Sequence, residues 1–420
     1  MAKSGGTFAA LQSKEYRRLW SGSLVAMVAF MMSFMLVPSV AFEISGSNAA
    51  AGFAQMGSGI AMVLVAPIGG VVADRLHKKP IVLAGQIAPA LIILTVGILL
   101  ITDHITVLLL GMGTMVMGLG FSFMGPARQA WVADLVPPDQ LRNAIAVQQL
   151  AQNISQVAAP LLIAILVGNL LDFGQTYLFM ATLFVIVLPL TLSLPNTPPR
   201  QKERKPIFEE LMLGVRYVWS DAELRVLWLG FLGIVVCGFA FQTLLPGLLE
   251  EELGRNPSEV GPVFLALALF GLLVNLRLAS LVSSTWAWPL MLIMGVILAG
   301  GYFVAAAAPS YAWVIMAAVP VGVGRSGFML IDNALLMSNA DPAYLGRVIS
   351  LAMIGFGTQS LLAPVWGVTA DLFGVRTALV AVGVVTIIIT LAVGVAWLRF
   401  KAVGSSGGLA PGASAPPARP

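Results

Sequence analysis

Charge is what this chain has least of. Its 420 residues include 23 Lys and Arg and 19 Asp and Glu, 10 % in all, while 58 % are hydrophobic. A water-soluble domain carries about 25 % charged residues, so a surface wetted on every side is excluded. Cysteine is nearly absent. Cys237 stands alone, which rules out an internal disulfide, and it sits in an apolar run as a small hydrophobe would. The two histidines, His77 and His104, are expected near opposite membrane faces and cannot share a metal. No resident metal or cofactor is therefore expected. The nucleotide-binding pattern Gly-x-x-x-x-Gly-Lys-[Ser/Thr] does not occur, so the chain does not power itself with nucleotide. No solvated basic segment with interleaved aromatics exists, and the net charge of +4 is no argument for nucleic acid. Without a visible nucleophile–base pair or His-rich cluster, an intramembrane enzyme is disfavoured.

What is present is a series of long apolar runs. IVLAGQIAPALIILTVGILLI (81–101) is free of charge. At about 1.5 Å per residue it spans roughly 30 Å, the thickness of a bilayer's hydrocarbon core. Cutting at charged and Pro/Gly-rich breaks predicts about twelve spans, at 18–43, 49–73, 81–101, 105–127, 140–168, 173–194, 225–249, 258–281, 287–308, 311–334, 343–370 and 375–398. The expected fold is an all-α polytopic membrane protein, with twelve transmembrane helices in two six-helix pseudo-symmetric bundles. The first run, from Leu19 past Val40, is too long for a signal-peptide core and no small-residue cleavage site follows it; it reads as a retained helix. With the N-terminus inside, all Lys and Arg but Arg255, Arg376 and Arg325 fall on the inner side. Both termini are thus expected in the cytoplasm of a multi-pass plasma-membrane (cell inner membrane) protein.

The longest break, 195–225, divides the spans six and six. The expected organisation is an N-terminal bundle (1–194), a cytoplasmic central loop (195–224), a C-terminal bundle (225–400) and a disordered, low-complexity tail (401–420). Within the loop, Ile207, Leu211, Leu213, Val215, Tyr217 and Val218 fit an interfacial helix, with a plain linker as the alternative. The halves echo each other: 123–160 parallels 328–364, each with Phe-Met, a polar turn holding Asp and Pro, an arginine and a closing Ala-Pro. Asp341 before Pro342 reads as a helix N-cap, and Asp139 as its mate. Weak internal symmetry across a central loop is a transporter feature.

Scarce charge is concentrated in GGVVADRLHKKP (69–80), with Asp74, Arg75, His77, Lys78 and Lys79. With twelve spans and the long central loop, this turn after span 2 resembles the major facilitator superfamily. The family's turn, Gly-x-x-x-Asp-Arg-x-Gly-Arg-Lys, is matched by Gly70, Asp74, Arg75, Lys78 and Lys79, with His77 where Gly is usual. EYRRLW (15–20), FMGPARQAWVADLVPPDQLRNAIA (123–146) and LMLGVRYVWSDAELRVLWLG (211–230) resemble the macrolide-efflux and enterobactin-exporter-like branch. The chain departs from that branch in VAFMMSF (28–34), which has no Gly-Asp. Its second-half turn is worn down to Gly271, Asn275 and Arg277. The resemblance implies a secondary active exporter, driven by proton antiport and acting as a monomer. It also implies that the 69–80 turn closes the cytoplasmic side in the outward-facing state. Arg75, Lys78 and Lys79 suffice to hold the turn inside. Asp74 adds a carboxylate able to accept from a neighbouring helix N-terminus or pair with Arg128 or Arg347, a conformational latch. If Asp74→Asn leaves transport intact, that latch fails.

Candidate cavity or coupling residues lie on three spans and one span end. Gln148, Gln152 and Gln156 share one face of span 5, with Gln149 and Asn153 beside them; Gln359 on span 11 is a possible mate. Such amides line a cavity or bond between helices. Arg325 falls near the middle of span 10, where a charge costs about 2.5–3.5 kcal/mol on insertion scales. Asp332 is two turns further along that face. The two make either a structural Arg–Asp pair or cavity groups. GVGRSG (322–327) is rejected as a dinucleotide site, because it lies in an apolar helix. Glu43, at the outer end of span 1, carries a proton or is simply solvated. Methionines such as Met31, Met35 and Met117 suit an adaptable pocket or ordinary packing. The expected function is export of small amphipathic molecules (drug-like compound, siderophore or metabolite) by alternating access, with small-molecule substrate, lipid and protons as partners. An importer on the same fold is the near alternative, and a non-transporting scaffold or receptor the distant one.

Overall fold

The computed structural model describes residues 9–197, 207–281, 286–341 and 344–406. It contains thirteen long helices: α1 (Lys14–Ser45), α2 (Asn48–Arg75), α3 (Lys78–Ile101), α4 (Val107–Leu135), α5 (Leu141–Leu166), α6 (Phe173–Leu192), α7 (Ile207–Ser220), α8 (Ala222–Gly247), α9 (Val260–Leu278), α10 (Ala287–Ala306), α11 (Tyr311–Asn339), α12 (Leu345–Phe373) and α13 (Val375–Ser406). Twelve helical segments, all but α7, are long and apolar enough to cross a membrane. Among the described residues there is no strand, and a single isolated bridge pairs Val167 with Leu171. The chain is an all-helical multi-pass membrane protein.

Helix starts follow local chemistry. Ser13, Ser47, Thr106, Asp172 and Asp221 each accept a first-turn N–H, and Asp172 with Gln175 completes a capping box. These caps start α1 at Lys14 and α8 at Ala222, earlier than hydropathy alone predicts. α1 ends on Gly46 at φ 62, and α12 turns into α13 through Gly374 at φ 87, backbone angles that favour glycine. The expected cap at Asp139 is corrected, while the one at Asp341 before Pro342 turns on residues outside the described ones. A 3-10 turn, Pro138–Gln140, absorbs Asp139, and the N-cap of α5 is Gln140 without a side-chain bond. The described part of α12 begins at Leu345, behind Tyr344. Pro342 lies outside the described residues.

α1–α6 pack among themselves, as do α8–α13. One end of the molecule is basic, with Lys14, Arg75, Lys78, Arg225 and Arg399; the other is acidic, with Glu43, Asp172, Glu250, Glu251 and Asp371. At the basic end the start of α1 is tied to α5. Tyr16 Oη donates to the Ala144 carbonyl at 2.6 Å, and Trp20 Nε1 to the Val147 carbonyl at 2.8 Å. α7 packs against α2, α8 and α12. Its Tyr217 ring stacks on Tyr344 at 4.2 Å, and its hydroxyl accepts from Asp341 N.

The two sets of helices meet along α2 with α12, α5 with α9, and α1 with α8. Glycines allow the closest approaches. A Cβ on Gly52 would lie 2.6 Å from the Pro364 backbone, and one on Gly261 2.4 Å from that of Ala164. Towards the middle, Gly59 meets Leu361 and Gly357 meets Met62 and Val63. Among the described residues, the hydrogen bonds across the seam, from Ser47, Asn48 and Ala49 to Asp371 and Glu251, are at the acidic end. The described contacts thus close the seam at the acidic end and through its middle.

Candidate functional site

α5 carries the amide candidates. Ala144, Val147, Ala151, Ser155 and Ala159 are buried, the small-residue face packed on α1. Leu150, Ile154 and Leu161 form an exposed apolar face suited to lipid. At 3.6 residues per turn, Gln148, Gln152 and Gln156 fall on neither of these faces. They form a separate polar strip along α5. Gln152 and Gln156 are exposed, Gln148 is half-buried with its Oε1 unpartnered, and Gln149 Nε2 reaches Asn153 Oδ1 at 3.5 Å.

In the other set of helices a cation lies among aromatic rings. The Arg325 guanidinium lies 4.5 Å above the centre of the Phe239 ring, with Nη1 3.5 Å from the Gly238 carbonyl. Phe239 meets Phe356 edge to face at 6.5 Å, and Phe356 meets Phe231 likewise at 5.7 Å. Gln359 follows Phe356 by three residues, so α12 presents ring and amide on one side. No carboxylate pairs with Arg325 among the described residues. Asp332 is wholly buried and neither of its oxygens has a hydrogen-bond partner. The structural Arg325–Asp332 pair weighed from the sequence is thus not formed. Seven residues separate the groups by about 10 Å along the helix, and the guanidinium turns to Phe239 instead.

Against α1, α2 and α4 there is a small recess lined by Phe30, Phe34, Gln55, Ser58, Thr114 and Met117. Gln55 is buried and its Nε2 lacks a partner. Sequence reading passed over it because it stands alone, without a polar neighbour at helical spacing.

The charged turn divides into parts. The side chains of Gly70 and Asp74 lie outside the described ones. Arg75 is exposed, and His77 Nδ1 is 3.1 Å from the Thr197 carbonyl. Lys78 is buried and bonds Asp134 at 2.5 Å, and Lys79 donates to the carbonyls of Leu192 and Leu194 at 2.7 and 2.8 Å. Both lysines thus bind within α1–α6 and the chain just after it, and Lys79 sits where the negative end of the α6 dipole favours a cation. Arg128 is buried at the basic end of α4, with no hydrogen bond or ion pair among the described residues. Arg347 lies 4.9 Å from the centre of the Tyr344 ring and beside Gly214 of α7. Glu43 is exposed at the acidic end. Asp134, Asn48 and Asp371 were missed because their partners are distant in sequence.

Comparison with known proteins agrees with this architecture. The family model of the Major Facilitator Superfamily matches residues 19–358. The chain is similar to the "Enterobactin exporter EntS" of Shigella boydii serotype 4 (strain Sb227), 25 % identical over 396 residues, covering 89 % of this chain and 91 % of that protein. The protein of the same name from Escherichia coli O6:K15:H31 (strain 536 / UPEC) is 24 % identical with the same coverage. Among solved structures, the nucleoside transporter NupG superposes with a TM-score of 0.76 at 13 % identity, over 91 % of this chain and 99 % of that one. A bacterial homologue of the lysosomal transporter Spinster, in an inward-facing and unoccupied conformation, gives 0.73 at 14 % identity, over 93 % and 98 %.

Proposed function

The chain belongs to the Major Facilitator Superfamily, and we propose that it exports small amphipathic molecules by alternating access, in exchange for protons. The supporting observation is the seam between the two sets of helices, hydrogen-bonded at the acidic end, with the polar α5 strip in one set and Arg325 with its aromatic neighbours in the other. With the basic end in the cytoplasm, the contacts that hold the acidic end together support an inward-facing reading, in which substrate is taken from the cell. Similarity over most of the chain to proteins named as enterobactin exporters supports outward transport and a siderophore-like ligand.

The α5 strip and the Arg325 cluster suggest the ligand's chemistry. Amides hydrogen-bond neutral polar groups, rings stack on apolar ones, and an unpaired guanidinium attracts an acidic or electron-rich group. Asp332 suits the proton. A buried carboxylate with no bonding partner is costly unless neutralised, and it stands two turns from the cation that meets substrate. At about 2.3 kcal/mol per charge per 100 mV, one proton at roughly 150 mV supplies about 3.5 kcal/mol, enough for a gradient of a few hundredfold.

The test is accumulation of labelled siderophores, drugs and dyes in efflux-deficient bacteria. Cells expressing the chain, or its Asp332→Asn variant, are compared with and without a protonophore. The expected result is lowered accumulation of an acidic amphipathic compound, abolished by protonophore and by the variant. Raised accumulation instead identifies an importer, the second reading, which the fold shared with nucleoside and peptide transporters keeps in view. Lowered accumulation that survives both treatments rejects proton coupling through Asp332.

A further inference from the structure

α2 and α12 run antiparallel along the seam, and the two end on closely similar residues. VAPIGGVVAD (65–74) and LAPVWGVTAD (362–371) share Ala-Pro and then Gly-Val-x-Ala-Asp at matching places. Asp74 follows the N-cap Ser47 at the same interval at which Asp371 follows the N-cap Tyr344. In an antiparallel pair, the last turn of each helix lies beside the first turn of the other. The C-terminal aspartate of α12, Asp371, is therefore set beside the N-terminus of α2.

At the acidic end this contact is made. Asp371 Oδ2 accepts from Ser47 Oγ at 2.6 Å and from Ala49 N at 3.0 Å, while Oδ1 accepts from Asn48 N at 2.8 Å. Ser47 Oγ in turn accepts from Ala50 N. The first-turn donors of α2 are thus satisfied largely by a carboxylate from the other set of helices, where the helix dipole favours negative charge. Asn48 is wholly buried between the same elements and donates through Nδ2 to Glu251 at 2.8 Å. Two glycines make room for it. A Cβ on Gly367 would lie 2.2 Å from the Asn48 carbonyl oxygen, and one on Gly247 2.1 Å from Asn48 Oδ1. Any rocking that parts the acidic end must break all of these contacts together.

We propose that Asp371 is a positioning residue of the transport cycle: an acidic-end latch that holds the inward-facing state by capping α2, in counterpoise to Asp74 at the basic end. Asp74 is the counterpart expected from the sequence at the other end of the same helix pair. The two latches share the seam helices but not a conformation, so each cycle exchanges one for the other. Their balance sets the resting state.

The experiment reads conformation directly, with the full chain in lipid nanodiscs and Cys237→Ala as background. Spin labels at His104 and Ser310 report the acidic end, and at Asn196 and Ser280 the basic end; all four positions are exposed. Hydrogen bonds to a charged group predict that Asp371→Asn changes the ratio of the two states by about tenfold or more. The distance distribution lengthens at the acidic end and shortens at the basic end. Asp74→Asn shifts both in the opposite sense. Gly367→Ala repeats the Asp371→Asn result without touching a charge. Unchanged distributions in Asp371→Asn and Gly367→Ala, or broadening at both ends in both variants, overturn the latch. No transported compound is needed, so the outcome is independent of the export reading.

Discussion

Asp134→Ala is expected to lower the stability of the folded protein by about 3 kcal/mol, the range found when one member of a buried ion pair is removed. Lys78 is 2 % exposed and Asp134 12 %, with Nζ and Oδ2 2.5 Å apart. The substitution takes the carboxylate from an ammonium that is shut away from water. The loss reads as a lower midpoint of thermal unfolding in detergent. The built-in comparison is Arg255–Glu259, a pair of similar length at 44 % and 33 % exposure. There Glu259→Ala is expected to cost no more than about 0.5 kcal/mol, because water already solvates both charges. Replacing the buried pair as a whole, Lys78→Met with Asp134→Leu, is expected to recover most of the loss. Equal effects at the two pairs would show that the Lys78 site is wetter than its geometry implies. The result also bears on the charged turn. If Lys78 matters through Asp134, its contribution is to the fold of α1–α6, and the latch rests on Asp74.

The architecture was legible because a bilayer imposes a long, one-dimensional pattern. Apolar runs of helix length, broken by charge, locate the spans without knowledge of any neighbour. The α5 strip was legible for the same reason, since Gln148, Gln152 and Gln156 declare their shared face through spacing alone. Helix ends were less so. Ser13 and Asp221 start α1 and α8 ahead of the hydropathy breaks, because a cap acts through one hydrogen bond that a hydropathy average hides. What could not be read was which helix lies beside which. Lys78 and Asp134, Arg325 and Phe239, or Asp371 and the α2 N-terminus are brought together by packing across the bundle, and nothing local marks them as partners. Asp371 left one trace, the Gly-Val-x-Ala-Asp shared with the charged turn. Attention to the richer Arg-Leu-His-Lys-Lys that follows Asp74 concealed it.

Arg325→Met is expected to abolish transport while leaving the fold intact, a pairing of effects that separates a ligand-binding cation from a structural one. Carrying a guanidinium to the middle of a span costs about 2.5–3.5 kcal/mol. Its place over Phe239 returns about 0.5–2 kcal/mol, and the contact with the Gly238 carbonyl, at 3.5 Å, is weak. The resting protein therefore leaves this charge only partly compensated, and methionine, which fills similar space without charge, is expected to keep or raise the unfolding temperature. A bound acidic group supplies the missing compensation, so removing the cation is expected to weaken binding of the exported compound by about ten- to a hundredfold. Arg325→Lys keeps the charge but loses the planar fork and the flat contact with Phe239, and an intermediate loss is expected. Titration of the purified protein with the compound found in the accumulation panel gives the affinity, and thermal unfolding gives the fold. A large drop in stability with unchanged affinity would make Arg325 a packing residue. Weakened affinity at undiminished stability makes it the group that selects what this chain carries.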